Sequence, residues 1–279
     1  MPSMKAIKHR ITSVSNTQQI MKAMNLVAAS KVQRNKAKFE AVSPMFVEAK
    51  KFMTQGLCNS SAWESVYYET RAVKNTAYVV ISGDRGLCGS YNANVLKEAL
   101  SHMDSGKNEH IIAIGAKCKE YFVRRKKNIA ESHIAVMENI SYSLAESIAQ
   151  GLINMYLERR VDEIYIAYTQ FDTLLSHTPT LVKLLPFEPL RFAFQKEVLY
   201  EPDVHTYFKK SMPVYLAMFL YGAMVESTVC EQASRMTSMD AASRNAGEIV
   251  DDLALKYNRQ RQGAITQEIS EIVGGANAI

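Results

Sequence analysis

The feature that most constrains this chain is a pair of long helical stripes, one at each end. Prolines stand at 2, 44, 179, 186, 189, 202 and 213, which leaves long proline-free stretches at both termini. In the first, Ile7, Ile11, Val14, Met21, Met24 and Ala28 recur at steps of three and four or their sums, one face of a helix. The pattern predicts a helix over residues 3 to about 40, ~57 Å long. In the second, Met236, Met239, Ser243, Ala246, Val250, Leu253 and Tyr257 alternate by threes and fours, and Ile265, Ile269 and Ile272 continue the spacing. With Ser211 as cap and Pro213 in the first turn, this helix is expected from 212 to about 273, ~90 Å.

Two helices that each carry one apolar stripe bury it by pairing, here as an antiparallel coiled coil, although the same stripes fit the core of an ordinary bundle. Gly222, Gly247 and Gly263 lie inside the second helix, each costing ~1 kcal/mol against alanine, and no further long amphipathic helix completes a bundle. Both points favour the coiled coil. The second helix is also longer by ~20 residues, so ~30 Å of it extends alone or finds another partner.

The middle of the chain has a different grammar. TAYVVIS (76–82), HIIAIG (110–115) and EIYIAYTQF (163–171) read as strands and IAESHI (129–134) as a weaker one, with helical patterns at about 92–103, 116–126 and 143–160 between them. TLVKLLPF (180–187) reads as an antiparallel edge strand. This alternation predicts a parallel sheet with crossover helices. The expected fold is an α/β, Rossmann-like domain inserted between two coiled-coil helices: 1–58, 73–204 and 205–279. Glu64, Tyr67, Tyr68 and Glu69 fall in a connector with no clear pattern.

Composition narrows the function. The chain has 279 residues, 47% of them hydrophobic, enough for a folded core. The most apolar stretch, PVYLAMFLYGAMV (213–225), is short for a membrane span, so a soluble protein is expected. The basic start MPSMKAIKHR lacks the apolar core of a secretory signal. Cysteines 58, 88, 118 and 230 form no close pair, which fits reduced thiols, and the six histidines form no ligand motif, so no metal or cofactor is expected. Net charge is +5 but uneven: residues 1–39 hold eight Lys or Arg and no acid, whereas 212–279 hold five basic and eight acidic residues. Such asymmetry points to nucleic acid, an anionic membrane surface or an acidic protein partner.

One motif raises catalysis. ISGDRGLCGSYNANV (81–95) places three glycines after a strand and before a helix, the setting of a phosphate site. Its GxxGxxG spacing is neither the P-loop GxxxxGK[ST] nor the dinucleotide GxGxxG. Asp84, Arg85, Cys88 and Ser90 would supply an active site, yet no histidine motif accompanies Cys88. The alternative is structural, with the glycines allowing a tight turn and Asn92 or Asn94 capping the next helix. Asp172 and His177 in FDTLLSHTPT fit a solvated or interface loop. The basic run KVQRNKAKF would bind nucleic acid electrostatically or meet an acidic protein. The tail AITQEISEIVGGANAI ends in small apolar residues after a Gly-Gly break and reads as a segment inserted into something.

Three stretches carry a resemblance: NTQQIMKAMNLVAASKVQRNK (16–36), ISGDRGLCGSYN (81–92) and EQASRMTSMDAASRNAGEIVDDLALKYNRQRQGAITQEISEIVGGANA (231–278). Together they resemble the gamma subunits of F-type rotary ATP synthases, along the whole chain. The resemblance implies a non-catalytic central shaft turning inside a hexamer of three alpha and three beta subunits. Its α/β foot would meet the epsilon subunit and the membrane c-subunit ring, with no nucleotide or nucleic acid bound. It implies that Lys22 and Met24 face acidic beta-subunit loops and that Arg235, Gln262, Thr266 and Glu268 meet the hexamer. Asp84, Arg85, Gly86 and Leu87 would belong to a contact loop of the foot. Chloroplast members carry a cysteine-paired insert that is missing here, so thiol switching is not expected. The start without a transit peptide points to a bacterial subunit at the cytoplasmic face of the cell membrane.

Overall fold

The computed structural model describes residues 3–55, 65–103, 108–187, 201 and 203–276; Cys58, Glu64 and the last three residues of the apolar tail lie outside them. The elements are α1 (Met4–Gln55), a 3-10 turn (Val66–Tyr68), β1 (Asn75–Ile81), α2 (Tyr91–His102), β2 (Asn108–Ile114), α3 (Ala116–Arg124), β3 (Ile129–His133), α4 (Tyr142–Leu157), β4 (Glu163–Phe171), β5 (His177–Leu185) and α5 (Val204–Ala276). They form two compact units. One comprises Met1–Ala29 with Arg235–Ile279, the other Ser30–Ser234.

The larger unit holds a sheet in the order β3-β2-β1-β4-β5. The first four strands pair in parallel, and β5 returns antiparallel along the edge, as its sequence predicts. Alternation along β1 divides two cores. Tyr78 and Val80 point into a layer with Val95, Leu96 and Ala99 of α2 and Phe122 of α3. Ala77, Val79 and Ile81 point into the other, with Ile148, Leu152 and Tyr156 of α4, Phe46 and Phe52 of α1, and Leu216, Phe219 and Ala223 of α5. The result is a three-layer, Rossmann-like domain in which both long helices belong to one layer. An 18-residue window of α5 reaches a mean hydropathy of 1.3, apolar enough to cross a membrane by composition, but 72% of it is buried in the structure. Its apolarity serves this core.

Both helices run further than their sequence patterns predict. Helix α1 passes Pro44 and continues to Gln55, because Phe46, Ala49 and Phe52 still have a core to enter. Phe52 stacks on Tyr215 with ring centroids 4.0 Å apart. That burial outweighs the lost backbone bond at one proline. Helix α5 begins at Val204 rather than 212. Asp203 accepts from the Thr206 N–H and hydroxyl, both at 2.8 Å, so it caps the first turn in place of Ser211 and puts Pro213 inside the helix. Nor does the helix break at Gly274 and Gly275, since it extends to Ala276.

In the smaller unit the two helices pair antiparallel. The Asn25 amide donates to the Met236 carbonyl at 2.8 Å, and seven residues earlier on α1 Gln18 donates to the carbonyl of Ser243, seven residues later on α5, at 3.1 Å. One heptad back on one helix matches one heptad forward on the other. Ile7, Ala28, Met239, Ser243 and Ala246 are buried along this seam, and Ile11, Val14, Met21, Val250, Leu253 and Tyr257 are half-buried. Small residues bring the axes close: a Cβ on Gly247 would lie 3.0 Å from Gln18 Nε2. Continued, the same register pairs Ile11 with Val250 and Met4 with Tyr257, where α1 ends. Beyond it Ile265, Ile269, Ile272 and Val273 are exposed.

The α5 glycines therefore differ in purpose. A Cβ on Gly222 would overlap the Phe46 ring, whereas one on Gly263 would meet nothing within 4 Å. Gly263→Ala should gain about 0.5–1 kcal/mol from helix propensity. Gly222→Ala should lose about 1–3 kcal/mol to overpacking. Thermal unfolding followed by helical circular dichroism reads both signs, and a gain at both positions would contradict the packing of Phe46.

Candidate functional site

In a doubly wound sheet, ligands bind outside the carboxyl ends of the strands where the strand order reverses. Here that point lies between β1 and β4, and the glycine loop 82–90 leaves β1 beside it. The crevice is already filled. Residues 222–235 of α5 are all buried, and those before Arg235 pack across the strand ends. Ser227 Oγ accepts from the Thr169 N–H at 3.4 Å, and Glu226 Oε1 accepts from the Phe171 N–H at 3.0 Å. The Cys230 thiol donates to the Thr169 carbonyl at 3.5 Å, and the Ser234 hydroxyl donates to the Cys88 carbonyl at 2.7 Å. A Cβ on Gly83 would lie 2.8 Å from the Glu231 carboxylate, so that side chain reaches right against the glycine turn. The chain's own helix stands where a nucleotide would.

The N–H groups at the start of α3, which border the loop, are equally spoken for. The first turn of α3 would offer free N–H groups to a phosphate. Instead Gly115 N donates to the His133 carbonyl at 2.8 Å, Ala116 N to Asp84 Oδ1 at 2.9 Å, Lys117 N to the Gly83 carbonyl at 3.1 Å and Cys118 N to Ser82 Oγ at 2.8 Å. Asp84 also accepts from Ala135 N at 2.8 Å and Met137 N at 3.2 Å, so one carboxylate ties together the ends of β1, β2 and β3. Asn92 is not a helix cap: its side-chain oxygen accepts from Gly83 N at 2.8 Å, and Ser90 occupies the N-cap position of α2. With Asp84, Glu226 and Glu231 gathered here, a phosphate would meet carboxylates. Grooves of about 480 Å³, beside Tyr207 and Tyr215, and about 310 Å³, beside His110 and Glu131, lie away from this loop.

What remains outward is the loop tip. Arg85 pairs with Glu138 at 3.3 Å, and Glu138 also pairs with Lys31 of α1 at 3.2 Å. Gly86 is exposed, and Leu87 is 63% exposed in the left-handed region at φ 61°, a conformation that leucine rarely adopts. Gly89, at φ 56°, turns the chain back into the core. Asp84 is thus an internal hub, while Arg85, Gly86 and Leu87 form a surface.

The other candidates divide in the same way. Lys22 is exposed and Met24 half-buried on α1. Gln262, Thr266 and Glu268 are exposed on the unpaired end of α5, where the Thr266 hydroxyl donates to the Gln262 carbonyl at 2.9 Å. Arg235 differs, being only 8% exposed. Glu226, Ser227, Glu231 and Ser234 escaped sequence reading. Their signal was the polar run ESTVCEQAS, placed where the apolar helix enters the domain core.

Glu226 is a perturbed acid. Burial pushes its carboxyl up to about 7, against the Phe171 N–H and the Lys50 charge, and Asp172 adds to the rise. Its Oε2 is buried with no hydrogen-bond partner among the described residues. From the ordinary value of 4.5 up to about 7, the unfolded chain releases a proton that the folded chain keeps. The stability contributed by the protonated form is therefore full below about 4.5 and falls by about 3 kcal/mol as pH rises to about 7. Glu226→Gln should flatten that slope. Urea midpoints of the wild type and the variant across this window check it, and parallel curves would contradict it. Asp84→Ala removes three backbone bonds to a charged acceptor and should cost about 2–4 kcal/mol in the same measurement.

A family model described as ATP synthase matches residues 3–279. The ATP synthase gamma chain of Desulforamulus reducens is 40% identical over 282 residues, covering all of both chains. That of Alkaliphilus metalliredigens is 38% identical over 284 residues, covering 99% of this chain and 98% of the other. Among solved structures, a chain of the Euglena gracilis mitochondrial ATP synthase rotor superposes with a TM-score of 0.75 at 15% identity, over 94% of this chain and 98% of that one. A chain of the Tetrahymena thermophila ATP synthase central stalk and c-ring gives 0.60 at 25% identity, over 80% and 99%. Whole-length identity at this level leaves one assignment: the chain belongs to the ATP synthase gamma chain family.

Proposed function

We propose that this chain is the central rotor shaft of a bacterial F-type, proton-translocating ATP synthase, at the cytoplasmic face of the cell membrane. It is a non-catalytic subunit that couples rotation of the c-subunit ring to ATP synthesis or hydrolysis at beta-subunit sites. The observation that carries this reading is the end of α5: the helix continues past Met4, the first residue of α1, with Ile265, Ile269, Ile272 and Val273 exposed. A single amphipathic helix of this kind is unstable alone and needs a surrounding partner. The filled crevice between β1 and β4 supports the non-catalytic part, because α5 occupies it and the chain's own acceptors hold the first N–H groups of α3.

Residues 1–58 and 205–279 then serve as the shaft and 73–204 as the foot. Lys22 and Met24 face acidic loops of the beta subunits. Arg235, Gln262, Thr266 and Glu268 meet the hexamer of three alpha and three beta subunits, and Asp84, Arg85, Gly86 and Leu87 belong to the contact with epsilon and the ring. Exposure of Lys22, Gln262, Thr266, Glu268 and the Arg85–Leu87 tip fits such roles. Asp84 acts by holding that tip, and the buried Arg235 by holding the helix. The shaft works through asymmetric contact. Each orientation stabilises a different conformation in each beta subunit, so three chemically identical sites acquire different affinities.

Assembly with the matching alpha and beta subunits should yield a complex with one copy of this chain per hexamer and hydrolysis that depends on its presence. Failure to associate where the partners assemble would contradict the reading. Met24→Lys should leave the fold intact and lower ATP synthesised per proton. Unchanged coupling would remove Met24 from the contact.

A further inference from the structure

We infer that Gln18 and Asn25 are positioning residues of the shaft: their amides hold α1 at one axial alignment along α5, and so set how the unpaired end of α5 is presented. The inference deepens the rotor reading and rests on it. The stripe of α1 is a strict heptad pattern, at positions 7, 11, 14, 18, 21, 25 and 28. Ile7, Ile11, Val14, Met21 and Ala28 are its apolar members, and Gln18 and Asn25 interrupt them one heptad apart. Both are half-buried, as residues of the seam are. A polar side chain at a seam position lowers stability and specifies alignment, so burial alone does not account for them.

Geometry does. Asn25 donates to the Met236 carbonyl at 2.8 Å and Gln18 to the Ser243 carbonyl at 3.1 Å, so two independent bonds agree on one alignment. The Gln18 site is shaped to receive its amide. In the helical ladder the Ser243 carbonyl lies over the N–H of Gly247, and a Cβ on Gly247 would stand 3.0 Å from Gln18 Nε2. The missing side chain leaves that carbonyl open. Slid by three or four residues in either direction, Gln18 would face the carbonyl of residue 239, 240, 246 or 247, whose ladder partners Ser243, Arg244, Val250 and Asp251 all carry side chains.

The apolar part of the seam discriminates less. Ala28, Ser243 and Ala246 are small, and a slide of three or four residues, ~5 Å, sets each stripe position opposite another one. Hydrophobic contact is non-directional, whereas a hydrogen bond weakens steeply as its length and angle change. Twisting a shaft of two wound helices makes one slide along the other. The two amides oppose the motion that torque drives.

Two double variants separate alignment from packing. Q18M/N25L keeps bulk and removes both donors, and Q18E/N25D keeps shape and sets acceptors against the carbonyls. Alignment is read in the isolated chain by disulfide trapping of I11C with V250C, in register, or with A246C or L253C, off register, with products assigned by peptide mass. The native Cys88, Cys118 and Cys230 are buried and do not compete. In the wild-type background the in-register pair should form far faster than the other two. In both double variants the off-register pairs should approach its rate, while the melting midpoint of Q18M/N25L, followed by helical circular dichroism, stays level or rises. Assembled with alpha and beta subunits on a surface, Q18M/N25L should widen the resting angular spread of a bead on the α/β domain and lower ATP synthesised per proton. Off-register trapping no faster than in the wild type overturns the inference. A lowered melting midpoint of Q18M/N25L would make the amides ordinary stabilisers, and an unchanged bead spread would leave alignment without a part in the shaft; either also overturns it. Trapping needs no partner subunit, so a failure of the rotor reading, seen as failed assembly of the wild type, is distinguishable from a failure of the alignment.

Discussion

Everything in this molecule depends on the burial of α5 as it crosses the α/β domain. From Met212 to Ser234 the helix contacts sheet, α1 and loop ends, and between residues 222 and 234 every position is buried. A helix apolar on one side only could roll or slide on its support. One whose Phe219 packs against Phe46 and Tyr168, and whose Ser227 and Glu226 accept hydrogen bonds from the strand end, is fixed in rotation and in register. Within the α/β domain the helix therefore has no room to roll or slide.

The same crossing explains why a nucleotide-binding architecture is mute here. The fold keeps the strand order, the glycine turn and the helix termini that elsewhere cradle phosphate, but the site, not the fold, sets function. Glu231 against Gly83 and Asp84 at the start of α3 replace the phosphate with the chain's own carboxylates. What is a ligand crevice in an enzyme becomes an anchorage.

The sequence made the architecture legible where periodicity was strong. The stripes of both helices, the strand alternation and the edge position of β5 follow from spacing alone, because one face of each element is buried. Helix ends were less legible. Pro44 and the Gly274–Gly275 pair look like stops, yet tertiary contacts of Phe46 and Phe52 carry α1 past the first, and α5 runs on through the second. The role of Asn92 was misread because its nearest backbone donors lie in the loop before it, not in its own helix. Glu226 and Glu231 were invisible as site residues, since a polar residue in an apolar helix declares itself only when the strand ends it meets are known. For the contact residues, exposure separates Gln262, Thr266 and Glu268 from the buried Arg235, a distinction that no motif carries.

Rotation tests the central claim most directly. A cysteine introduced at Leu175, 83% exposed at the tip of the β4–β5 hairpin, gives an attachment point for a bead on a complex whose hexamer is fixed to a surface. If the chain is an axle, the bead turns in one direction while ATP is hydrolysed, pausing at three positions per turn. Hydrolysis at full rate beneath a stationary bead would contradict it.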